Sequence, residues 1–247
     1  MSLVSLNFLC GMKKSEFSFI GDIASMFGAL PHNGFEPIGD DCTVVDMGED
    51  ALVMTTDMLL EDVHFLRGAS LAEEVGRKSL MVNLSDVAAM GAKPVATLLS
   101  IALTESAQGE WAEGFMRGYY EASREAGVAL VGGDTTASRD KVAINVGAIG
   151  RAPKWCIKRR SAAKVGDIIA VTGKLGASSK GLVDIMFGDM DTPAARHHRI
   201  AQARIAEGEW LGRRKEVGAM MDISDGIASD IKHIMELSKV GAEIEVK

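Results

Sequence analysis

Segments with strand and helix patterns alternate along the first 150 residues of this 247-residue chain. Apolar runs of strand length and apolar residues at helical spacing separate clearly from one another. The predicted strands are Cys42–Met47, Leu52–Thr56, Val95–Leu103, Val128–Val131 and Lys141–Ile149, and the predicted helices are Ser15–Phe27, Leu71–Met90 and Gly109–Ala126. Interleaving of this kind predicts an α/β unit in which helices cover a sheet.

The pattern restarts after Gly150–Pro153, a segment with the composition of a hinge. Two more strands, Asp167–Val171 and Ala242–Val246, and three helices, Ser178–Phe187, Pro193–Leu211 and Ile227–Lys239, are predicted beyond it. We therefore expect two domains, residues 15–150 and residues 151–247. Because the second would finish on a lone strand, we expect a C-terminal α/β domain that is incomplete, or truncated.

Composition excludes several classes of protein. The chain is 47% hydrophobic and 25% charged, as is usual for a globular protein, and its net charge of -7 without a basic stripe argues against nucleic acid as a partner. The longest apolar run, Val95–Leu103, is half of the roughly 18 residues that a membrane span needs. Cys10, Cys42 and Cys156 are too scattered for a disulfide framework, so we expect a cytoplasmic protein.

Acidic residues concentrate where predicted strands give way to loops. The clusters are Asp40–Asp41, Thr56–Asp57, Gly132–Asp134 and Asp222–Gly226. Asp86 is different, because it lies inside an apolar helix segment and should face a group that compensates its charge. Each aspartate taken alone is also explained as a turn residue or a helix cap. Taken together, with glycine beside three clusters, they favour a metal site.

Carboxylates that converge without a cation repel one another by roughly 1 kcal/mol per pair in water and by more inside a protein. Divalent cations remove that cost. The chain has neither a cluster of thiols nor a His-x-x-x-His pair, so the available ligands are hard oxygens, which favour Mg²⁺. Mg²⁺ bound in this way commonly accompanies a nucleotide triphosphate.

Other sequence motifs exclude some phosphate-binding loops and catalytic mechanisms. The segment Gly173–Gly181 does not fit the Walker A pattern and is interpreted as a packing turn, and no G-x-S-x-G nucleophile elbow occurs. The short basic segment Lys158–Arg160 is predicted to be a surface loop, with contact to a phosphate group as the alternative. Asn83 and Ser85 are expected to orient their neighbour Asp86. Nucleophilic catalysis finds no support in these patterns.

Six motifs, in order, resemble those of the thiamine-monophosphate kinase family. They are Gly39–Asp41, Thr55–Phe65, Asn83–Ala92, Val131–Thr136, Val171–Gly176 and Met221–Ile227, and the resemblance covers roughly residues 15–246. The wider superfamily includes aminoimidazole ribonucleotide synthetase, selenophosphate synthetase and a hydrogenase maturation factor. The resemblance implies an aminoimidazole ribonucleotide synthetase-like fold with two α/β domains, an N-terminal mixed sheet, and pairing with a second subunit through that sheet as a homodimer.

The resemblance also implies an activity, ATP-dependent phosphorylation of thiamine monophosphate to thiamine diphosphate. It implies several Mg²⁺ ions held by Asp40, Thr56, Asp57, Asp86, Asp134, Asp222 and Asp225. It further implies contacts between ATP and Gly133, Asp134, Arg151 and Ser224, and a contact between the acceptor substrate and His64.

The chain stops after Glu245–Lys247, where members of the family usually continue. We expect the metal and ATP sites to be less affected by this than recognition of the acceptor. Two alternatives stay open from the sequence. One is an ATP-dependent enzyme of the same superfamily with another acceptor, and the other is a non-catalytic ATP-binding module.

Overall fold

The computed structural model describes residues 16–245, so that Cys10, Ser15 and Val246 lie outside the described residues. The strands are β1 (Thr43–Met47), β2 (Asp50–Leu60), β3 (Lys93–Leu103), β4 (Ala129–Ala137) and β5 (Ala143–Pro153). The helices are α1 (Glu16–Phe27), α2 (Ala72–Ala89), α3 (Glu110–Ala126), α4 (Ala177–Met186), α5 (Pro193–Arg199), α6 (Ile205–Gly212) and α7 (Ile227–Ser238). Short 3₁₀ turns lie at Glu105–Ala107, Lys154–Cys156 and Arg160–Ala162.

The five strands form one mixed sheet in the order β1-β2-β5-β3-β4. Strands β3 and β4 are parallel, as expected for two strands joined by the crossover helix α3, and the other neighbours are antiparallel. The predicted α/β architecture with a mixed N-terminal sheet is confirmed.

Helix α2 covers one face of the sheet and forms the centre of the core. Leu80, Leu84 and Val87 on this helix are fully buried, and burial of each such side chain stabilises the fold by about 1.5–3 kcal/mol. The helix gives way to Gly91, whose φ of +74° suits glycine, and Pro94 follows in β3. This is the helix end that the sequence predicts.

Helix α3 packs directly on α2 because glycine permits a very close approach. A Cβ atom on Gly118 would lie 2.0 Å from the backbone oxygen of Glu73, and one on Gly76 would lie 2.1 Å from that of Phe115. Either side chain would force the two helices apart. The α2–α3 pair therefore forms a rigid layer against the sheet.

Four strands, β2, β3, β4 and β5, extend beyond a predicted end. Strands β2 and β5 pair over their whole lengths, from Asp50 opposite Pro153 to Leu60 opposite Ala143. The segment Thr56–Asp57 therefore lies inside β2, and Gly132–Asp134 lies inside β4, which pairs with β3; their predicted position at strand ends is wrong. The predicted hinge Gly150–Pro153 is also wrong, because cross-strand hydrogen bonds make it the last part of β5.

The two strands predicted for the C-terminal part do not form. Residues 167–171 and 242–245 have no regular secondary structure, and neither segment pairs with any strand in the described part of the chain. A strand requires a partner for its backbone groups, which explains the result. The side chain of Ile168 is 92% exposed. The division into two domains at residue 150 stays a prediction.

The single helix predicted over Pro193–Leu211 is two helices. The chain leaves the helical conformation at Ile200, and Arg77 of α2 donates a hydrogen bond from Nε to the backbone oxygen of Ala201, at 3.2 Å. The break lets α6 turn back onto α2, where Gly208 packs against Ala88. Tertiary contacts with α2 thus interrupt a continuous helical pattern.

Over residues 16–245, none of the helices combines the length and the hydropathy that crossing a bilayer demands. Cys42 and Cys156 are buried free thiols, in agreement with the expectation of unpaired cysteines.

Candidate active site

Three carboxyl groups from distant parts of the chain meet beside α2. Asp41 precedes β1, Asp86 lies on α2, and Asp222 lies in the loop before α7. One oxygen atom from each of the three lies within 4.8 Å of the other two, a spacing suited to a shared cation. We call Asp41, Asp86 and Asp222 the carboxylate cluster.

Hydroxyl groups orient two members of the carboxylate cluster. Thr55 Oγ1 of β2 donates to Asp86 Oδ2 at 2.7 Å, and Ser85 Oγ of α2 donates to Asp222 Oδ2 at 3.0 Å. Ser85 was expected to orient Asp86 and instead joins α2 to the loop before α7. Asp41 Oδ2 is buried and has no hydrogen-bond partner among the described residues. A buried carboxylate oxygen in this state is available to a ligand, since leaving it unpaired costs free energy.

The electrostatics of the carboxylate cluster favour neutralisation. Burial and repulsion by Asp222 and Asp57 raise the pKa of Asp86 to about 8. Burial raises the pKa of Asp41 to about 7, although the guanidinium of Arg160 opposes this shift. Burial likewise raises the pKa of Asp222. These carboxyl groups therefore bind either protons or a cation more readily than exposed aspartates do.

Asp57 lies next to the carboxylate cluster and is held by Asn83. Strand β1 stops pairing with β2 at Met54, so the edge of β2 beyond it faces α2 instead of another strand. Asn83, fully buried on α2, accepts a hydrogen bond at Oδ1 from the backbone N–H of Asp57, at 2.9 Å. Its Nδ2 donates to the backbone oxygen of Ser79 at 3.0 Å. Asn83 was expected to orient Asp86, but it positions Asp57 instead.

Burial raises the pKa of Asp57, and the nearby His64 opposes that rise. His64 follows β2, where its Nδ1 accepts a hydrogen bond from the backbone N–H of Leu60 at 2.9 Å. Lys78 of α2 donates to the backbone oxygen of His64 at 2.8 Å. The predicted acceptor-binding residue is therefore near Asp57, one of the predicted metal ligands.

Arg160 brings a positive charge to the carboxylate cluster. Its guanidinium pairs with the carboxylate of Asp41, its Nε lies 3.8 Å from Asp40 Oδ1, and its backbone N–H donates to Asp40 Oδ2 at 3.1 Å. Its Nε is buried without a hydrogen-bond partner among the described residues. The prediction that Lys158–Arg160 is a surface loop is wrong for Lys158, which is buried, and for Arg160. The turn at Arg160–Ala162 directs this side chain inward.

Two predicted metal ligands lie on the other face of the sheet. Alternation along β2 directs Thr55 and Asp57 towards α2 and Thr56 away from it. Thr56 exchanges hydrogen bonds with the side chain of Asn145 on that open face. Asp134 lies on the same face, because it pairs with Ser100, which in turn pairs with Asn145. Thr56 and Asp134 are therefore separated from the carboxylate cluster by the sheet.

Position 133 on β4 has room only for glycine. Its φ is +152°, and a Cβ atom at this position would lie 1.7 Å from the backbone oxygen of Leu99. The glycine thus permits close pairing of β4 with β3 at the position preceding Asp134. This packing role is independent of any contact with a nucleotide.

The remaining predicted residues lie at two places. Ser224 and Asp225 are exposed in the loop that carries Asp222, and the backbone N–H of Ser224 donates to the buried carboxylate of Asp230 at 3.0 Å. Arg151, the predicted ATP ligand, lies near the end of β5, where its Nε donates to Asp50 Oδ2 at 2.8 Å. Arg160, not Arg151, accompanies the carboxylate cluster.

Asp41, Thr55 and Arg160 were not among the individual site residues predicted from the sequence. Asp41 and Thr55 nevertheless lie in segments that the sequence analysis named, beside the predicted ligands Asp40 and Thr56. Arg160 lies in the basic segment Lys158–Arg160, and its inward direction depends on the turn that follows β5. Asp86 and Asp222 of the carboxylate cluster were predicted to be metal ligands, and that role stays a prediction.

Comparison with known proteins shows which family this chain resembles. Residues 39–152 match the family described as "AIR synthase related protein, N-terminal domain". The thiamine-monophosphate kinase of Buchnera aphidicola (subsp. Acyrthosiphon pisum) is 35% identical over 242 residues, which cover 95% of this chain and 73% of that protein. The Escherichia coli K12 enzyme is 36% identical over 217 residues, which cover 85% of this chain and 65% of the enzyme.

The chain belongs to the thiamine-monophosphate kinase family. The solved complex of AaThiL with AMPPCP and TMP has a TM-score of 0.82 and 32% identity, covering 91% of this chain and 70% of that one. Hydrogenase maturation protein HypE in complex with ATP, at 22% identity and a TM-score of 0.60, shares the fold alone. The chain spans about two thirds to three quarters of the length of the relatives named here.

Proposed function

We propose that this chain catalyses ATP-dependent phosphorylation of thiamine monophosphate, with thiamine diphosphate and ADP as products. The observation that carries the proposal is the meeting of Asp41, Asp86 and Asp222 in a chain whose relatives are thiamine-monophosphate kinases. Both substrate classes come from those relatives, since AaThiL is solved with AMPPCP and TMP.

The residues at the carboxylate cluster fit Mg²⁺. The three carboxylates offer hard oxygen ligands, Asp41 Oδ2 is buried without a hydrogen-bond partner among residues 16–245, and burial raises the pKa values of all three groups. Asp41, Asp86 and Asp222 would hold the ion, with Asp40 and Asp57 beside them as candidates for further ions. Bound there, Mg²⁺ supplies charge neutralisation between two polyanionic substrates.

The acceptor explains why no nucleophilic side chain is needed. A phosphate monoester has a second pKa near 6, so at neutral pH its oxygen is mostly an anion that is ready to attack. That oxygen forms a bond to the γ-phosphorus of ATP while the bond to the β-γ bridging oxygen breaks and ADP leaves. Protein side chains align the two phosphates and lower their repulsion. We therefore propose direct transfer without a phosphorylated enzyme.

Arg160 is the cationic residue that we propose for contact with the ATP phosphates. Its guanidinium lies between Asp40 and Asp41, and its Nε makes no hydrogen bond to any described residue, which leaves a donor for an anion at the cluster. Arg151 is engaged by Asp50 instead. We expect Arg160→Gln to weaken binding of Mg·AMPPCP by about tenfold and Arg151→Gln by less than about twofold, in line with the strength of charge-assisted hydrogen bonds. Equal effects would contradict this choice.

The other predicted contacts stay proposals. They comprise His64 at the acceptor, Gly133, Asp134 and Ser224 at ATP, and Thr56, Asp134 and Asp225 as metal ligands. Thr56 and Asp134 can take part only if the nucleotide reaches the open face of the sheet. That face is also the surface we propose for pairing in a homodimer, and Met58, which alternates with Thr56 along β2 and pairs with Asn145, is 59% exposed there. A cytoplasmic location is proposed as well.

The deciding assay measures thiamine diphosphate by chromatography and ADP release by a coupled reaction. We expect turnover that requires ATP, Mg²⁺ and thiamine monophosphate, and no turnover with thiamine, whose alcohol would need a general base. Turnover with another phosphate acceptor, and none with thiamine monophosphate, would favour a different enzyme of the superfamily. Nucleotide binding without turnover would favour a non-catalytic module.

A variant at the site tests the residue assignment. Asp57→Ala, next to the carboxylate cluster, should abolish turnover and retain the circular dichroism of the unsubstituted chain.

A further inference from the structure

Helix α7 connects two parts of the proposed nucleotide site. Its first residues follow the loop that carries Asp222, and buried Asp230 accepts hydrogen bonds from the backbone N–H groups of Ser224 and Gly226, each at 3.0 Å. Its last residue is Ser238, since the next residue, Lys239, has a φ of +56° and ends the helix. One rigid element of 12 residues, about 18 Å long, therefore extends from the Asp222 loop to Ser238.

The hydroxyl of Ser238 closes the 3₁₀ turn that carries Arg160. Ser238 Oγ donates to the backbone oxygen of Arg160 at 2.6 Å and accepts from the backbone N–H of Ala163 at 3.0 Å. One hydroxyl thus satisfies backbone groups at both ends of the turn Arg160–Ala162. A short 3₁₀ turn has weak internal hydrogen bonds, so an external clamp contributes strongly to its order.

Arg160 depends on that order. Its side chain pairs with Asp41 and Asp40 from the first position of this turn. Asp40 holds the backbone N–H of Arg160, and Ser238 holds its backbone oxygen on the other side. Because the backbone of Arg160 is already held on both sides, less backbone entropy is lost when the guanidinium binds an anion.

We propose that Ser238 is a positioning residue for nucleotide binding, which acts by holding the Arg160–Ala162 turn. The inference rests on the proposed function, in which Arg160 contacts ATP phosphates. Ser238 belongs to the C-terminal part of the chain, beyond residues 39–152 that match the family of N-terminal domains. Through Ser238, the end of α7 sets the electrostatics of a site built mainly on the sheet and α2.

A double-mutant cycle on the full chain tests the proposal. The variants Ser238→Ala, Ser238→Thr and Ser123→Ala are made in the unsubstituted chain, and Ser238→Ala is also made in the Arg160→Gln background. Affinity for Mg·AMPPCP is measured by isothermal titration calorimetry, so that turnover is not required. Ser123 is the matched control, because it lies near the end of α3 and its buried hydroxyl has no hydrogen-bond partner in the described part.

We expect Ser238→Ala to weaken nucleotide binding about five- to tenfold, as expected for the loss of one or two hydrogen bonds. Ser238→Thr, which keeps the hydroxyl, should bind within about twofold of the unsubstituted chain, and so should Ser123→Ala. In the Arg160→Gln background, Ser238→Ala should have less than about a twofold effect, because its effect passes through the guanidinium.

Two results would overturn the inference and leave the proposed function in place. They are an unchanged affinity in Ser238→Ala, and an equal loss in both backgrounds, which would indicate a general structural effect. If Ser238→Ala does not fold, Ser238→Cys replaces it in the cycle. Absence of nucleotide binding by the unsubstituted chain would overturn the proposed function and this inference with it.

Discussion

Raising the pH should destabilise the metal-free protein, and Mg²⁺ should reverse the effect. The pKa values of Asp86 and Asp41 are raised from 3.8 to about 8 and about 7 in the folded protein. When the pKa of a carboxyl group is higher in the folded state than in the unfolded state, folding takes up a proton at any pH between those two pKa values. Its contribution to stability is full at low pH and is lost as the pH rises through the folded value.

The size of the effect follows from about 1.4 kcal/mol per pKa unit. Between about pH 5.5 and about pH 8.5, Asp86 alone would account for about 3 kcal/mol and Asp41 alone for about 2 kcal/mol of lost unfolding free energy. The two groups repel each other, so these amounts are not additive. We expect a combined loss of about 3 kcal/mol in the absence of metal, a large part of a typical domain's stability.

Urea unfolding followed by circular dichroism measures this loss directly. The chain is unfolded at each pH in EDTA and again in excess Mg²⁺, which we expect to abolish the decline because it binds the charged carboxylates. Asp86→Asn mimics the protonated acid and should flatten the profile in EDTA. Asp46→Asn is the control, since Asp46 is exposed and pairs with Lys154 far from the carboxylate cluster. Metal-free stability that stays constant or increases with pH would refute the reasoning, as would identical slopes for Asp86→Asn and the unsubstituted chain.

Two further predictions concern packing around the site. Gly133→Ala should lower the thermal midpoint severely or prevent folding, because its Cβ would lie 1.7 Å from the backbone oxygen of Leu99. Gly132→Ala meets only a flexible side-chain atom at 3.2 Å and should fold normally; equal effects would contradict the steric account. Asn83→Ala should cost about 2–3 kcal/mol of unfolding free energy in urea, because it leaves the backbone N–H of Asp57 without its acceptor. It should also raise the Mg²⁺ concentration needed for nucleotide binding, and an unchanged Mg²⁺ requirement would show that Asn83 does not position Asp57.

Local pattern was enough to predict the α/β class and most elements of the sheet unit. Helices α2 and α3 and the parts of all five strands with apolar sequence follow from periodicity, and Gly91 marks the end of α2 as predicted. These features depend on residues close together in the chain. The ordered motifs likewise identified the family, because they are read without knowing how the segments pack.

Strand length was decided by pairing between distant segments. Strand β2 continues through Leu60 because β5 runs beside it, and this registry depends on contacts across 83 to 103 residues of chain. For the same reason, the strand predicted at residues 167–171 does not form, because this segment has no partner strand in the described part of the chain. Apolar sequence alone does not distinguish a paired strand from an unpaired segment.

The sequence by itself predicted a metal site formed by aspartates of several segments, since acidic residues in apolar surroundings require compensation of their charge. Only the tertiary structure decided which oxygens meet. Alternation along β2 gives Thr55 and Thr56 opposite directions, and the face covered by α2 selects Thr55. Likewise, a turn closed by Ser238 directs Arg160 towards the carboxylate cluster. The direction of a side chain relative to a covering helix depends on how the elements pack. The residues next to it in the sequence are not enough to determine that packing.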